Sequence, residues 1–187
     1  AKTGFKHICC DELIEEKLTP ELQALGYSGI KEVAKWLGQP YAEDFMDKQQ
    51  QFLELEKETM NEVVKEIQSC EENIVVDSTG SLIYIDEEAI KELNQNSLVI
   101  HIEPTDDMKQ AMFETYIKEP KPVIWGDSYQ PNPGESNEAA LSRCYHDLLE
   151  YRLSKYRQHA DITLSYKELD CDLVNEKEFL ELITKKL

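Results

Sequence analysis

The sequence predicts an α/β fold, a doubly wound parallel sheet with helices on both faces. Three observations carry this. Four short apolar runs rich in β-branched residues are bounded by turn or capping residues, and helical patterns lie between them. Two of the runs, Asn73 to Asp77 and Ser97 to Ile102, are almost continuously apolar, as strands covered on both sides are. Regular alternation of strand and helix makes neighbouring strands parallel.

Lys6 to Cys10 reads as the first strand. Asp11 to Leu25 follows as a helix whose acidic first turn suits the positive end of the helix dipole. Leu18 to Pro40 breaks the pattern: Gly26, Gly29, Gly38 and Pro40 predict extra turns, read as an insertion around Trp36. Tyr41 to Cys70 is a long helix with Phe52, Leu55, Thr59, Val63 and Ile67 at spacings of three and four. Next come the strand Asn73 to Asp77, the helix Asp86 to Asn94, the strand Ser97 to Glu103 and the helix Asp106 to Ile117.

Lys118 to Asn137 is a loop of about 20 residues with Pro120, Pro122, Pro131 and Pro133, a length that predicts a lid. The helix Glu138 to His159, the strand Asp161 to Tyr166 and the helix Asn175 to Lys186 complete the chain. Phe179, Leu180, Leu182 and Ile183 share a face of that last helix, which packs back on the sheet or serves a partner. No internal repeat or low-complexity tract is present. At 187 residues, one domain is expected.

A formal charge of −18, from 38 acidic and 20 basic residues, repels nucleic acid and anionic membranes, so neither is an expected partner. The five cysteines (Cys9, Cys10, Cys70, Cys144 and Cys171) show no C-x-x-C spacing, which points away from a zinc ribbon or a disulfide framework and toward a reducing cytoplasm. No apolar run reaches the roughly 20 residues that span a bilayer. In Arg143-Cys144-Tyr145-His146, cysteine and histidine two apart on a helix face different ways, so Cys144 is read as a small buried hydrophobe. His101, alternating within a strand, is read as a packed histidine.

A G-x-x-x-x-G-K-S/T loop holds nucleotide phosphates with backbone N–H groups and a lysine. None of the seven glycines falls in that spacing, so these residues carry no such motif.

Five short segments stand in a telling order. Gly4 leads to Cys9-Cys10-Asp11-Glu12-Leu13-Ile14-Glu15; Phe52-Leu53-Glu54-Leu55-Glu56 lies on the long helix; Ile74-Val75-Val76-Asp77 runs into Ser78-Thr79-Gly80-Ser81. Lys121-Pro122-Val123 sits in the proline-rich loop, and Leu148-Leu149-Glu150-Tyr151-Arg152 continues through Tyr156 to Ala160-Asp161. Together they resemble the shikimate kinase family of P-loop kinases, over most of the chain outside Leu18 to Pro40 and the last 17 residues.

The resemblance implies roles residue by residue. Asp11 falls on the family aspartate that contacts acceptor hydroxyls; as a residue it also fits a helix N-cap. Cys9 replaces the aspartate usually near the metal, and Leu53 replaces an arginine that grips the substrate carboxylate, a change that counts against shikimate itself as the substrate. Glu56 keeps the family glutamate that orients that arginine, and equally fits a solvated face. Thr79, Gly80 and Ser81 stand where the family has three glycines approaching the substrate. Asp77 ends an apolar strand in the manner of a Mg²⁺-binding aspartate, and also fits a turn. Lys121 takes the place of the lid arginine, as a point charge rather than a fork. Arg152 matches the arginine that binds the substrate carboxylate, and as a residue could instead pair with a glutamate.

The function implied is transfer of the ATP γ-phosphoryl group to a hydroxyl of a small carboxylate-bearing metabolite, with an altered acceptor pocket. Asp11 and Lys121 are the catalytic candidates; Asp11, Thr79, Gly80, Ser81 and Arg152 bind the acceptor, and Asp77 the metal. ATP and Mg²⁺ are expected on condition that a phosphate loop precedes Ala1. About 20 further residues would hold that loop and the central strand, whose loss would expose two sheet edges. The alternative is an inactive kinase-fold binding or regulatory module. A soluble, cytoplasmic monomer or homodimer is expected in either case.

Overall fold

The computed structural model describes residues 4–27, 30–119, 121–169 and 175–187. Ala1, Lys2 and Thr3 lie outside these residues, as do Gly29, Pro120 and Cys171.

The chain alternates as the apolar runs predict: β1 (Lys6–Cys9), α1 (Cys10–Ala24), α2 (Ile30–Leu37), α3 (Phe45–Ser69), β2 (Ile74–Asp77), α4 (Glu87–Asn96) and β3 (Ile100–Glu103). It continues through α5 (Asp106–Lys118), α6 (Asn137–His159), β4 (Ile162–Ser165), α7 (Tyr166–Leu169) and α8 (Glu176–Thr184), with a 3₁₀ turn at Leu82–Tyr84. All four strands pair in parallel. β1 joins β2 with Cys9 opposite Asp77, and β3 joins β4 with Glu103 opposite Ser165. The described strands form these two pairs. Val75 on β2 and Ile102 on β3 remain 49% and 44% exposed, so these apolar runs are not covered on every side.

Local chemistry sets several helix starts. Asp86, Thr105 and Ser136 each accept the backbone N–H three residues on, and Asn175 and Glu178 form a reciprocal capping box at α8. α1 is different: its N-cap is Cys9, without a side-chain bond, so Asp11 is not the cap and its carboxylate is left to other work.

The interrupted region 18–40 holds more structure than turns. α1 runs through Pro20 to Ala24, and α2 packs on it by burying Val33, Trp36 and Leu37. The Trp36 indole N–H donates to Glu21 at 2.8 Å. The main core lies between α1, α2, α3 and α6, a second cluster joins β1 and β2 to α3 and α4, and a third packs α8 onto β4 through Ile183 and Leu164.

The proline-rich loop contributes to that main core. Ile124 and Trp125 are 2% and 1% exposed, and Trp125 meets Tyr116 and Tyr145 in edge-on contacts.

Candidate functional site

A cavity of about 850 Å³ opens where the carboxyl end of β1, the segment after β2, the proline-rich loop and α6 converge. Asp11, Thr79, Gly80, Ser81, Lys121 and Arg152 all line it, so six of the seven sequence-predicted site residues share one space. Asp77, the seventh, ends β2 opposite Cys9 and acts on the Asp11 carboxyl electrostatically.

The segment after β2 is held by its own side chains. The Thr79 hydroxyl accepts the Ser81 N–H at 3.3 Å, and the two hydroxyls are 3.3 Å apart. Between them, Gly80 lets α6 come close: a Cβ there would stand 3.1 Å from an Arg152 guanidinium nitrogen and 3.4 Å from the Tyr156 hydroxyl. That hydroxyl donates to the Gly80 carbonyl.

Arg152 reaches the cavity from the middle of α6. Its Nη2 donates to the Ile124 carbonyl at 2.6 Å, and its guanidinium lies over the Tyr84 ring at 5.6 Å. Among the described residues no carboxylate forms an ion pair with it, so the glutamate pairing that the sequence also allowed is not made. A guanidinium has several N–H donors in a planar fork matched to a carboxylate. The structural bond to Ile124 leaves part of that fork for another partner.

Glu56 is not on a solvated face. The buried stripe of α3 runs Phe45, Gln49, Phe52, Glu56, Thr59 and Val63, placing the glutamate fully inside, one turn beyond the cavity-lining Phe52. Neither carboxyl oxygen has a hydrogen-bond partner among the described residues. Burial pushes the carboxyl up to about 8, against the pull of the Ser81 hydroxyl and Arg152. At neutral pH it is mostly a neutral acid.

Burial raises the Asp11 carboxyl as well, the charge of Asp77 adds to the rise, and Lys121 opposes it. Two carboxylates that repel each other suit a cation. Among the described residues no group of three His, Cys, Asp or Glu side chains forms a metal cage. Mg²⁺ needs no such cage, since it keeps several waters and takes one or two carboxylates plus substrate phosphates. Asp77 and Asp11 fit that ion.

Sequence reasoning missed what α2 and α3 bring. Ala34 and Lys35 of α2 and Phe52 of α3 line the cavity, as do Glu12 and Glu15, one and four residues beyond Asp11 on α1. The spacing of Val33, Ala34, Trp36 and Leu37 is the signal that would have revealed α2. Cys144 is buried as expected, and His146 lies against Phe113. His101 is 9% exposed and packs on Tyr156, and burial lowers its pKa.

No protein-family model and no curated protein matches the chain. Among solved structures, it is similar to shikimate kinase from Acinetobacter baumannii in complex with shikimate, with a TM-score of 0.57 and 17% identity. The match covers 97% of this chain and 80% of that one. At this identity the likeness establishes a shikimate-kinase-like fold. No described helix is long and apolar enough to cross a membrane.

Proposed function

We propose that the cavity is the acceptor site of a shikimate-kinase-like phosphotransferase, taking a small molecule that carries both hydroxyl and carboxylate groups. The observation that carries this reading is Arg152: a cation with no carboxylate partner among the described residues, held on one side and lining the cavity beside Gly80 and Asp11.

In this reading the acceptor carboxylate docks on Arg152 and its body rests against Phe52 and the Thr79–Ser81 segment. Asp11 accepts a hydrogen bond from the reacting hydroxyl, orienting it and polarising its O–H bond. Its raised pKa makes it a better proton acceptor than an ordinary aspartate. Lys121 brings positive charge to the same space, where charge would develop during transfer. The Lys118 to Asn137 loop acts as a lid through its Lys121–Pro122 end, since Ile124 and Trp125 are anchored in the core. With Leu53 in place of a second arginine, the carboxylate is gripped by one guanidinium, so shikimate would be held more weakly here than where two arginines hold it.

ATP would supply the phosphoryl group and Mg²⁺, held by Asp77 with Asp11, would neutralise phosphate charge. These 187 residues carry no G-x-x-x-x-G-K-S/T motif. Leu53 in place of an arginine, and Thr79 and Ser81 in place of glycines, favour a second reading, a kinase-fold module that binds the acceptor without chemistry.

The two readings separate on turnover. The natural polypeptide, incubated with Mg·ATP and a panel of small hydroxy acids, should release ADP only with a matching acceptor, which phosphorus NMR then shows phosphorylated. Acceptor binding without ADP release selects the module, and absence of both removes the acceptor site.

A further inference from the structure

Gln49 lies on the buried face of α3, 5% exposed, facing the proline-rich loop. Its side-chain oxygen accepts two backbone N–H groups, from Trp125 at 2.8 Å and Gly126 at 2.9 Å. Backbone donors in a loop lack the partners that helix or sheet provides, and buried ones must be satisfied. Gln49 does this for two adjacent donors at once.

The Trp125 N–H belongs to the same peptide unit as the Ile124 carbonyl. A peptide unit is planar and trans, so its N–H and C=O point in opposite directions and turn together. Gln49 therefore fixes one side of a plate whose other side carries the acceptor for Arg152, at 2.6 Å. Each bond also polarises the next, which strengthens the chain from Gln49 through the peptide to the guanidinium.

A second contact locks the same turn. Gly126 has φ +54°, and a Cβ there would stand 2.7 Å from the Tyr84 ring. That ring also lies under the Arg152 guanidinium. The loop and the arginine are thus set by the same two supports.

We propose that Gln49 is a positioning residue for Arg152, acting through the Ile124–Trp125 peptide to aim the guanidinium into the cavity. This rests on the reading of Arg152 as a carboxylate anchor. Lys121 and Pro122 line the cavity three and two residues before Ile124, so the clamp also sets where the loop's cation enters the site.

The test compares wild type, Gln49→Met, which keeps length and loses the acceptor, and Gln49→Glu, which restores an acceptor oxygen. Calorimetry gives the affinity ratio of shikimate to its methyl ester, and NMR hydrogen exchange follows the Trp125 and Gly126 amides. Gln49→Met should lose about tenfold in the ratio with ester affinity unchanged, and both amides should exchange faster; Gln49→Glu should recover most of each. Should Gln49→Met fail to fold, Gln49→Asn, which draws the oxygen back by one methylene, carries the same expectation. A folded variant with both amides freed and the ratio unchanged overturns the inference alone. A wild type that does not distinguish shikimate from its ester overturns the carboxylate reading, and the inference with it.

Discussion

The guanidinium of Arg152 and the carboxyl of Glu56 are electrostatic neighbours that share no hydrogen bond: Arg152 bonds to the Ile124 carbonyl, while both oxygens of Glu56 are buried without a partner among the described residues. Two opposite charges this placed would normally pair. Burial keeps Glu56 mostly protonated at neutral pH, and among the described residues no carboxylate forms an ion pair with Arg152.

That arrangement makes stability depend on pH. The Glu56 pKa is raised from 4.5 to about 8 in the folded protein, so between those values the folded state holds a proton that the unfolded state has released. Its contribution is full below pH 4.5 and is lost as pH rises to about 8. Glu56→Gln should remove this slope, matching wild type near pH 4.5 and exceeding it at pH 8 by on the order of 4 kcal/mol. Urea unfolding at the two pH values measures it, and parallel curves for both proteins would contradict it.

Gly80→Ala probes the closest approach between the segment after β2 and α6. The new Cβ would meet the far end of the Arg152 side chain at 3.1 Å, and that end can swing away. Stability should change by less than about 1 kcal/mol, whereas affinity for a carboxylate ligand should fall about tenfold as the guanidinium is displaced. Melting and calorimetry on one sample separate the two effects.

Gly126→Ala should behave in the opposite way. There φ is +54° and the added Cβ would stand 2.7 Å from the Tyr84 ring, which cannot fold aside like an arginine tip. A loss of about 2–4 kcal/mol in unfolding free energy is expected, with ligand affinity reduced as well.

Asp77→Asn tests the electrostatic link at the ends of β1 and β2. The Asp77 charge raises the Asp11 carboxyl, so removing it should lower the Asp11 pKa, whereas Lys121→Ala should raise it. Carbon-detected NMR titration of the Asp11 carboxyl reads both directions. Added Mg²⁺ should lower the same pKa in wild type and do less in Asp77→Asn.

The strands were legible because short β-branched runs between turn residues leave few alternatives, and each was placed within a few residues. α2 was not, because Gly26, Gly29, Gly38 and Pro40 around it read as turns, and its eight residues are too short for periodicity to outweigh them. Asp11, Thr79 to Ser81, Lys121 and Arg152 were found through the order of motifs, and the fold brings all of them to one cavity. Glu56 stood undecided because a charged side chain within a helical stripe gives no sign of whether the stripe's buried face includes it. Gln49 left no trace at all: an amide that clamps a peptide 76 residues away is visible only once the loop is folded against it.

Anchoring of an acceptor carboxylate by Arg152 is read out by titrating shikimate and its methyl ester into wild type and Arg152→Ala. Wild type should prefer the acid, and Arg152→Ala should lose about 10- to 100-fold for the acid and little for the ester, as removal of a charge-assisted pair does. Equal losses for both ligands, or no loss for either, would contradict it.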